Sequence, residues 1–308
     1  MNPILETWNH PVMPLVAKRS RVLLALPAGV LSSVSLFRAM AFARLRDAEL
    51  HVLRVLPVRP SSFPLFPQLN GVMALENINR DHESVEATRA WLDDAAGETF
   101  ALEVRSGSFV AETTKRAQEL CAELVVMPPA EGRFGATATD LAQAAGVPVL
   151  VARPPMAEDV IIAASDLSDR QYPVLRQATE LGAALEAPVV AMHNVVPVGV
   201  YATPELSWPL TLDVTESVAQ AKHTELEQAA LKLRGHAQAV VTTGVSCSEA
   251  ILREARARDA DLVVVGTREQ SLLEWLFDGS VAARVVEASR RSVLVVPLNT
   301  QPEQLTDA

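Results

Sequence analysis

The sequence contains one pattern of short apolar runs twice, and this repeat constrains the fold more than any other feature. The run ELVVM ends at Met127 and its counterpart DLVVV ends at Val265, an offset of 138 residues. Pairing Val22 of RVLLALP with Val160 of DVIIAAS gives the same offset. Because two separate anchors agree, the sequence predicts a duplication. The length of 308 residues fits two domains at the usual size of roughly 150 residues each.

Each copy contains five short runs rich in valine and leucine, separated by enough chain for a crossover helix. Continuous apolar runs of this length are typical of strands buried on both faces of a parallel sheet. The pattern therefore predicts an α/β fold of two tandem Rossmann-like domains, each a five-stranded parallel sheet with helices on both faces. The predicted strands are 22–26, 50–56, 100–105, 123–127 and 147–151, then 160–164, 189–196, 237–242, 261–265 and 293–297; helical spacing marks 172–185, 218–233 and 249–258.

The boundary between the copies is predicted in the segment ARPPMAED, residues 152–159, where two prolines and two acids separate the neighbouring apolar runs. The resulting organisation is a tail, two domains and a second tail, at 1–20, 21–153, 154–298 and 299–308.

Composition excludes several classes of partner. The formal net charge of -10 argues against nucleic acid, because such a surface does not release phosphate counterions. No run approaches the 18 or more apolar residues of a membrane span, and the first twenty residues lack the pattern of an export signal. Two cysteines, Cys121 and Cys247, fit a reducing compartment and are predicted to be small buried hydrophobes. We therefore expect a cytoplasmic protein without nucleic-acid or membrane partners.

Several blocks of the second half resemble the universal stress protein family in order and spacing. They are VIIAASDLSDRQYPVLRQATELGAALEAPVVAMHNV, EAILREARARDADLVVVGTRE and GSVAARVVEASRRSVLVVP. The first half resembles the family more faintly, through VLLALPAGVLSSVSLFRAMAFARLRDAELHVLRVLPV and ELVVMPPAEG. The whole chain is thus similar to tandem members of that family. The resemblance implies an adenine nucleotide alpha hydrolase-like fold, a stress-response regulator, and a homodimer of tandem chains.

The resemblance also implies a nucleotide site in the second half. Nucleotide-binding members carry the fingerprint G-x2-G-x9-G-[ST] and an aspartate after the first strand, which align here with Gly266, Gly279, Ser280 and Asp166. A glycine at a strand end allows close approach of a phosphate, and a helix N-terminus attracts an anion. By resemblance, Asp166 would meet the base or ribose at the carboxyl edge of the sheet. The predicted site comprises Ala164, Ser165, Asp166, Val195, Val265, Gly266, Thr267, Glu269, Gly279, Ser280 and Val281.

One position departs from the fingerprint, because Glu269 stands where the second glycine is expected. Glu274 and Asp278 add two further carboxylates against the single Arg268, and Ala164 replaces the family proline. A carboxylate near a triphosphate costs affinity unless a divalent cation lies between them. The predicted ligand is therefore ATP or another adenine nucleotide, with Mg²⁺ as its companion. The alternative is that Gly266, Gly279 and Ser280 only make a tight strand exit and a capped helix.

The first copy lacks most of this motif. Pro27 and Ala28 are expected in the places of Ser165 and Asp166, Pro128 replaces the first glycine, and Ala136 replaces Ser280, while Gly135 is retained. Pairing Val149 with Val293 gives an offset of 144, so six loop residues are missing from the first copy. We therefore expect the first half to be a scaffold that docks its last strand against that of the second half, as subunits do in single-domain family dimers.

Two other functions stay open. The proline-rich segments 57–73 and 197–212 could line a cavity for a hydrophobic ligand in a nucleotide-free stress protein that acts by protein contacts. A slow ATPase would need Glu269 as its general base. The sequence contains no nucleophile elbow, Walker lysine or paired catalytic acids, and its histidines show no metal spacing, so an enzyme is not predicted.

Overall fold

The computed structural model describes residues 20–58, 70–129, 134–169, 171–196, 215–233, 237–244, 246–268 and 280–298. The apolar runs form the ten strands that their composition predicts, each within two residues of the expected bounds. In the first half the elements are β1 (Arg21–Pro27), α1 (Ser33–Leu45), β2 (Glu49–Leu56), α2 (Asn70–Ala96), β3 (Ala101–Ser106), α3 (Phe109–Leu120), β4 (Leu124–Met127), α4 (Phe134–Ala145) and β5 (Val149–Val151).

The second half repeats this alternation of strands and crossover helices. Its elements are β6 (Ile161–Ala164), α5 (Pro173–Leu185), β7 (Val189–Val195), α6 (Thr215–Lys232), β8 (Ala237–Thr243), α7 (Cys247–Ala257), β9 (Leu262–Thr267), α8 (Val281–Ala288) and β10 (Ser292–Pro297). The three helices predicted from apolar spacing are confirmed as α5, α6 and α7, and a helix begins at Val281 as predicted.

The two halves share one sheet with the strand order β3-β2-β1-β4-β5-β10-β9-β6-β7-β8. All neighbours within each half are parallel, and only β5 and β10 pair antiparallel, with Leu150 opposite Leu294. The predicted docking of last strand against last strand is confirmed. It turns two five-stranded sheets into one ten-stranded sheet.

The sheet register corrects the repeat offset for the first strand of each copy. Val22 of β1 pairs with Leu124, and the repeat equivalent of Leu124 is Leu262, which pairs with Ile161 of β6. Val22 is therefore equivalent to Ile161, and the pairing of Val22 with Val160 is wrong by one residue. The error has a physical cause: strands buried on both faces do not alternate between polar and apolar residues, so their sequence does not fix the register.

Two apolar cores lie on opposite faces of the sheet. Side chains of α1, α2, α5 and α6 pack on one face, over residues such as Leu24 and Val264. Those of α3, α4, α7 and α8 pack on the other, over residues such as Val125 and Val293. Both cores run across the junction of the halves, so folding of either half buries apolar surface of the other.

Polar contacts also join the halves. Arg38 on α1 forms an ion pair with Asp261, which precedes β9, at 2.5 Å between Nη2 and Oδ1. The backbone amide of Met156 donates to the same carboxylate oxygen at 2.8 Å. Arg153 is 8% exposed and donates to the carbonyl oxygens of Val286 and Arg291. These hydrogen bonds fix the linker between the halves to the second half. Burial also lowers the pKa of Arg153.

Helices α4 and α8 pack against each other at Gly135. A Cβ atom at this position would lie 2.2 Å from the carbonyl oxygen of Ala283 and 2.7 Å from Cγ of Glu287. Only glycine permits this approach. The one motif glycine that the first copy retains thus serves a contact between helices of the two halves. None of the helices among the described residues is long and apolar enough to cross a membrane.

Candidate functional site

A cavity of about 210 Å³ opens at the carboxyl ends of β6 and β9, which are neighbours in the sheet. Ligands bind at this edge in doubly wound sheets, because the crossovers on either side diverge there. Apolar side chains form most of its walls, and polar side chains form the rest. The residues that line it are Ala164, Ser165, Asp166, Asp169, Pro173, Val174, Met192, His193, Asn194, Cys247, Ile251, Val265, Gly266, Val281, Ala282 and Leu298.

Six of the residues predicted from the sequence meet in this cavity. They come from three separate segments, and they are Ala164, Ser165, Asp166, Val265, Gly266 and Val281. Val195 and Thr267 are buried beside it without lining it. Glu269 and Gly279 lie outside the described residues, as do Glu274 and Asp278. The segments 57–73 and 197–212, considered for a hydrophobic ligand, also fall largely outside them.

Asp166 is held by contacts on both of its carboxylate oxygens. Oδ1 accepts hydrogen bonds from the backbone amide and the hydroxyl of Ser168, at 3.0 and 2.6 Å. Oδ2 lies 3.2 Å from Nη2 of Arg268, which also donates to the Ser168 hydroxyl. The loops after β6 and β9 are therefore joined through a carboxylate and a guanidinium at the mouth of the cavity. Arg268 is a site residue that the motif does not include.

Gly266 lies against packed side chains in the structure itself. A Cβ atom here would lie 2.8 Å from Cδ1 of Leu298 and 3.1 Å from Cγ2 of Val174. The expected reason for this glycine was the close approach of a phosphate to the backbone. Its surroundings supply another: the side chains of Leu298 and Val174 occupy the space that a larger residue would need.

Ser280 is the N-cap of α8, and its Oγ accepts a hydrogen bond from the amide of Ala283 at 3.3 Å. Ser280 therefore caps the helix, as the alternative explanation expects. A hydroxyl that accepts from an amide keeps its own proton for donation. The cap and an anion site are thus compatible at Ser280.

Four polar residues in the cavity wall are absent from the motif, namely Asp169, His193, Asn194 and Cys247. His193 Nδ1 lies 2.8 Å from the carbonyl oxygen of Ser165, so Nδ1 carries the proton and Nε2 is left as an acceptor when the ring is neutral. Asn194 donates to the carbonyl oxygen of Gly244 at 2.9 Å and accepts from the Thr242 hydroxyl at 2.9 Å. Two consecutive polar residues at the end of a buried strand were a usable signal for this site.

Cys247 is another of these residues, at the start of α7. It lines the cavity and is half-buried, whereas Cys121 is exposed. The prediction that both cysteines are buried hydrophobes was wrong. Helix ends bring both into reach of solvent, because Cys121 is the C-cap of α3 and Cys247 is the first residue of α7.

The corresponding position in the first half is filled by larger side chains. With the corrected register, Leu26 takes the place of Ser165, and Pro27, instead of Ala28, takes that of Asp166. Arg54 takes the place of His193; it is 7% exposed and donates from Nη1 to the carbonyl oxygen of Val30 at 2.6 Å. Burial lowers the pKa of Arg54. Leu26 is fully buried. Because leucine and proline stand at these two positions, the first half has neither the hydroxyl of Ser165 nor the carboxylate of Asp166.

Metal ligands are sparse in the part of the chain that the structure describes. It contains no group of three or more His, Cys, Asp or Glu side chains that could hold an ion. Carboxylates at the cavity mouth could contact a cation that a nucleotide brings with it, because Mg²⁺ is commonly bound through one or two carboxylates and substrate phosphates.

The fold and the position of the cavity define a doubly wound α/β protein built from two copies of one unit. The model of the universal stress protein family matches residues 19–153 and 158–297. The chain belongs to this family and is a tandem member, with one family domain in each half. A search of curated proteins found no match.

Solved structures share this tandem architecture. A universal stress protein from Archaeoglobus fulgidus DSM 4304 is 14% identical with a TM-score of 0.62, and the match covers 92% of this chain and 98% of that one. A functionally unknown protein from Pseudomonas aeruginosa PAO1 is 16% identical with a TM-score of 0.58, covering 91% and 93%. At these identities the likeness concerns the fold alone.

Proposed function

We propose that the second half binds ATP or a related adenine nucleotide as a regulatory ligand, without efficient turnover, in a cytoplasmic stress-response protein. The observation that carries this proposal is the convergence of six residues predicted from the sequence, from three separate segments, on one cavity at the carboxyl edge of β6 and β9. Each residue has an ordinary structural explanation by itself. Their meeting at the usual ligand crevice favours a binding site.

The walls of the cavity suit a flat base. Val174, Met192, Ile251, Val265 and Leu298 supply apolar surface, and ligand pockets combine such surface with a few placed polar groups. Beside it, the Nε2 of His193 is available as an acceptor, since Nδ1 is engaged with Ser165. The base would lie against the apolar walls, and the sugar would face Asp166, whose carboxylate can accept hydrogen bonds from hydroxyl groups.

The phosphates would extend toward Arg268 and the start of α8. Arg268 and Asp166 have side chains 39% and 57% exposed, and an exposed ion pair contributes only about 0–1 kcal/mol. Arg268 can therefore exchange the carboxylate for a phosphate at low cost. Ser280 and the first amides of α8 would add hydrogen-bond donors at the positive end of the helix dipole. Mg²⁺ between the phosphates and Glu269 would offset the repulsion expected from that carboxylate.

Alkylation of the two cysteines tests the site within one molecule. Cys247 lines the cavity and Cys121 is exposed elsewhere. With ATP and Mg²⁺ at ten times the dissociation constant, alkylation of Cys247 should slow about tenfold, while alkylation of Cys121 should be unchanged. Equal rates at Cys247 with and without saturating nucleotide contradict the site.

Extraction of the natively purified protein and mass spectrometry address the ligand itself. The proposal expects an adenine nucleotide, and replacing Gly279 with a bulky residue should abolish it while the fold persists. A hydrophobic molecule in the extract, with no nucleotide binding on titration, would instead support the nucleotide-free alternative. Steady phosphate release that Glu269→Gln abolishes would support a slow ATPase.

We also propose that two tandem chains form a homodimer. β5 and β10 pair with each other within one chain, so the strand edges expected to join single-domain subunits are already used. A homodimer of this protein must therefore use another surface.

A further inference from the structure

A second cavity lies between α1 and α5, at the edge of the sheet where β1, β4 and β5 begin. It measures about 210 Å³, and Val22, Phe42, Leu124, Leu181 and Leu294 give it apolar walls. We call it the α1–α5 groove. Ser20, Arg46, Glu123, Pro148 and Gln177 complete its lining.

The α1–α5 groove spans the junction of the two halves. Leu124 belongs to β4 of the first half and Leu294 to β10 of the second, while Phe42 and Leu181 come from the two flanking helices. Arg46 of α1 approaches Glu180 of α5 to 4.0 Å between Nη2 and Oε2. An apolar side chain placed in this groove would contact both halves at once.

The chain itself leads into the α1–α5 groove. Ser20, the first described residue, lies in its wall. The Ser20 hydroxyl is buried and makes no hydrogen bond within the described part of the molecule. The nineteen preceding residues, MNPILETWNHPVMPLVAKR, carry the apolar side chains Leu15 and Val16 only a few positions away. The match to the family model begins at residue 19, so this segment precedes the family domain.

We propose that residues 3–17 of the same chain dock in the α1–α5 groove, with Leu15 and Val16 as the nearest apolar contacts. Val16 is four residues from Ser20, a reach of about 13 Å in extended backbone. The tether to Ser20 gives this segment an effective concentration on the order of millimolar, which a second molecule at ordinary concentration does not reach. Lys18 and Arg19 are opposite in charge to Glu123, which lines the groove beside Ser20. The docked segment clamps the two halves together.

A disulfide trap tests this docking in the full-length chain. Met13→Cys and Gln177→Cys are combined with Cys121→Ser and Cys247→Ser, so that the introduced thiols are the only ones. Gln177 is half-buried in the groove wall. Mild oxidation should give mainly an intramolecular disulfide. A pair of Met13→Cys with Arg253→Cys, on the exposed surface of α7 across the sheet, should form at least about tenfold less, because a disulfide needs Cα atoms within about 7 Å.

A matched variant separates docking from simple tethering. Adding Leu15→Asp and Val16→Asp to the same cysteine pair keeps the tether length but removes the apolar contacts. The proposal expects the rate of disulfide formation to fall at least about tenfold, because charged side chains are costly to bury in an apolar groove. An unchanged rate means that tethering alone brings the thiols together, and overturns the proposal. Predominant disulfide-linked dimers also overturn it, because the segment would then occupy the groove of a second copy.

Discussion

Arg268 Nη2 lies 3.2 Å from Asp166 Oδ2, and this ion pair joins the two loops that enclose the mouth of the second-half cavity. Asp166 was predicted from the family motif, whereas Arg268 entered the sequence analysis only as a counter-charge to nearby carboxylates. In this ion pair Asp166 holds the guanidinium of Arg268, and a phosphate can replace Asp166 as the partner of Arg268. It also separates the two ends of the proposed ligand, with the sugar at the carboxylate and the phosphates at the guanidinium.

Arg268→Ala should weaken binding of ATP with little effect on adenosine. A charge-assisted hydrogen bond contributes about 1.5–3 kcal/mol, so the affinity for ATP should fall by about ten- to a hundredfold. Titration calorimetry with both ligands measures this difference. Arg253→Ala, on the exposed surface of α7, is the control. Equal losses for ATP and adenosine would show that Arg268 does not contact phosphate.

Gly266→Ala should destabilise the fold through packing. The added Cβ would lie 2.8 Å from Leu298 Cδ1, and overpacking of a well-packed core costs about 1–3 kcal/mol. Urea unfolding measures the loss. Leu298→Ala in the same chain should recover part of it, because the side chain in the way is removed. Gly244→Ala is a matched control, since its Cβ would meet only Asn194 Oδ1 at 3.6 Å, an ordinary contact.

The sequence predicted the strands well and the register of one strand poorly, for the same reason. Buried parallel strands are apolar throughout, which identifies them, but the lack of alternation leaves a shift of one residue undetected. Because of this shift, the sequence predicts Ala28 as the repeat equivalent of Asp166, whereas the equivalent residue is Pro27. Only hydrogen-bonded pairing such as that of Val22 with Leu124 resolves it.

The cavity lining was predicted where motif residues and their neighbours supply it, and missed where other segments do. Asp166 and Gly266 follow directly from the motif, and Ser165 is the neighbour of Asp166. Leu298 enters from beyond β10, and Cys247 from the start of α7. Such contacts depend on how crossover helices and strand ends pack in three dimensions, which a linear motif does not contain.

Gly135→Ala should destabilise the junction of the halves more than Gly266→Ala destabilises the cavity. The added Cβ would lie 2.2 Å from the backbone carbonyl oxygen of Ala283. A backbone group on a packed helix cannot move aside as a leucine side chain can, so we expect at least about 3 kcal/mol of lost stability. Chemical unfolding of both variants gives the comparison. A smaller loss for Gly135→Ala would mean that α4 and α8 separate easily, contrary to the tight packing described.

The stability of the protein should fall as the pH decreases below about 6.5, and His51 should account for part of this fall. Burial, followed by the nearby positive charge of Arg116, lowers the pKa of His51 and outweighs the opposing effect of Glu49, whose carboxylate lies 3.8 Å from Nε2. Because the folded state then binds this proton less readily than the unfolded chain, acid favours unfolding. The contribution is present above the unfolded pKa and is lost as the pH falls below it.

In urea unfolding between pH 7.5 and pH 5.5, a range of about one unit on each side of that pKa, His51→Leu should show a flatter pH dependence than the unaltered protein. His82→Leu, at an exposed position on α2, should retain the original dependence. Identical slopes for His51→Leu and the unaltered protein would assign the acid sensitivity to other groups.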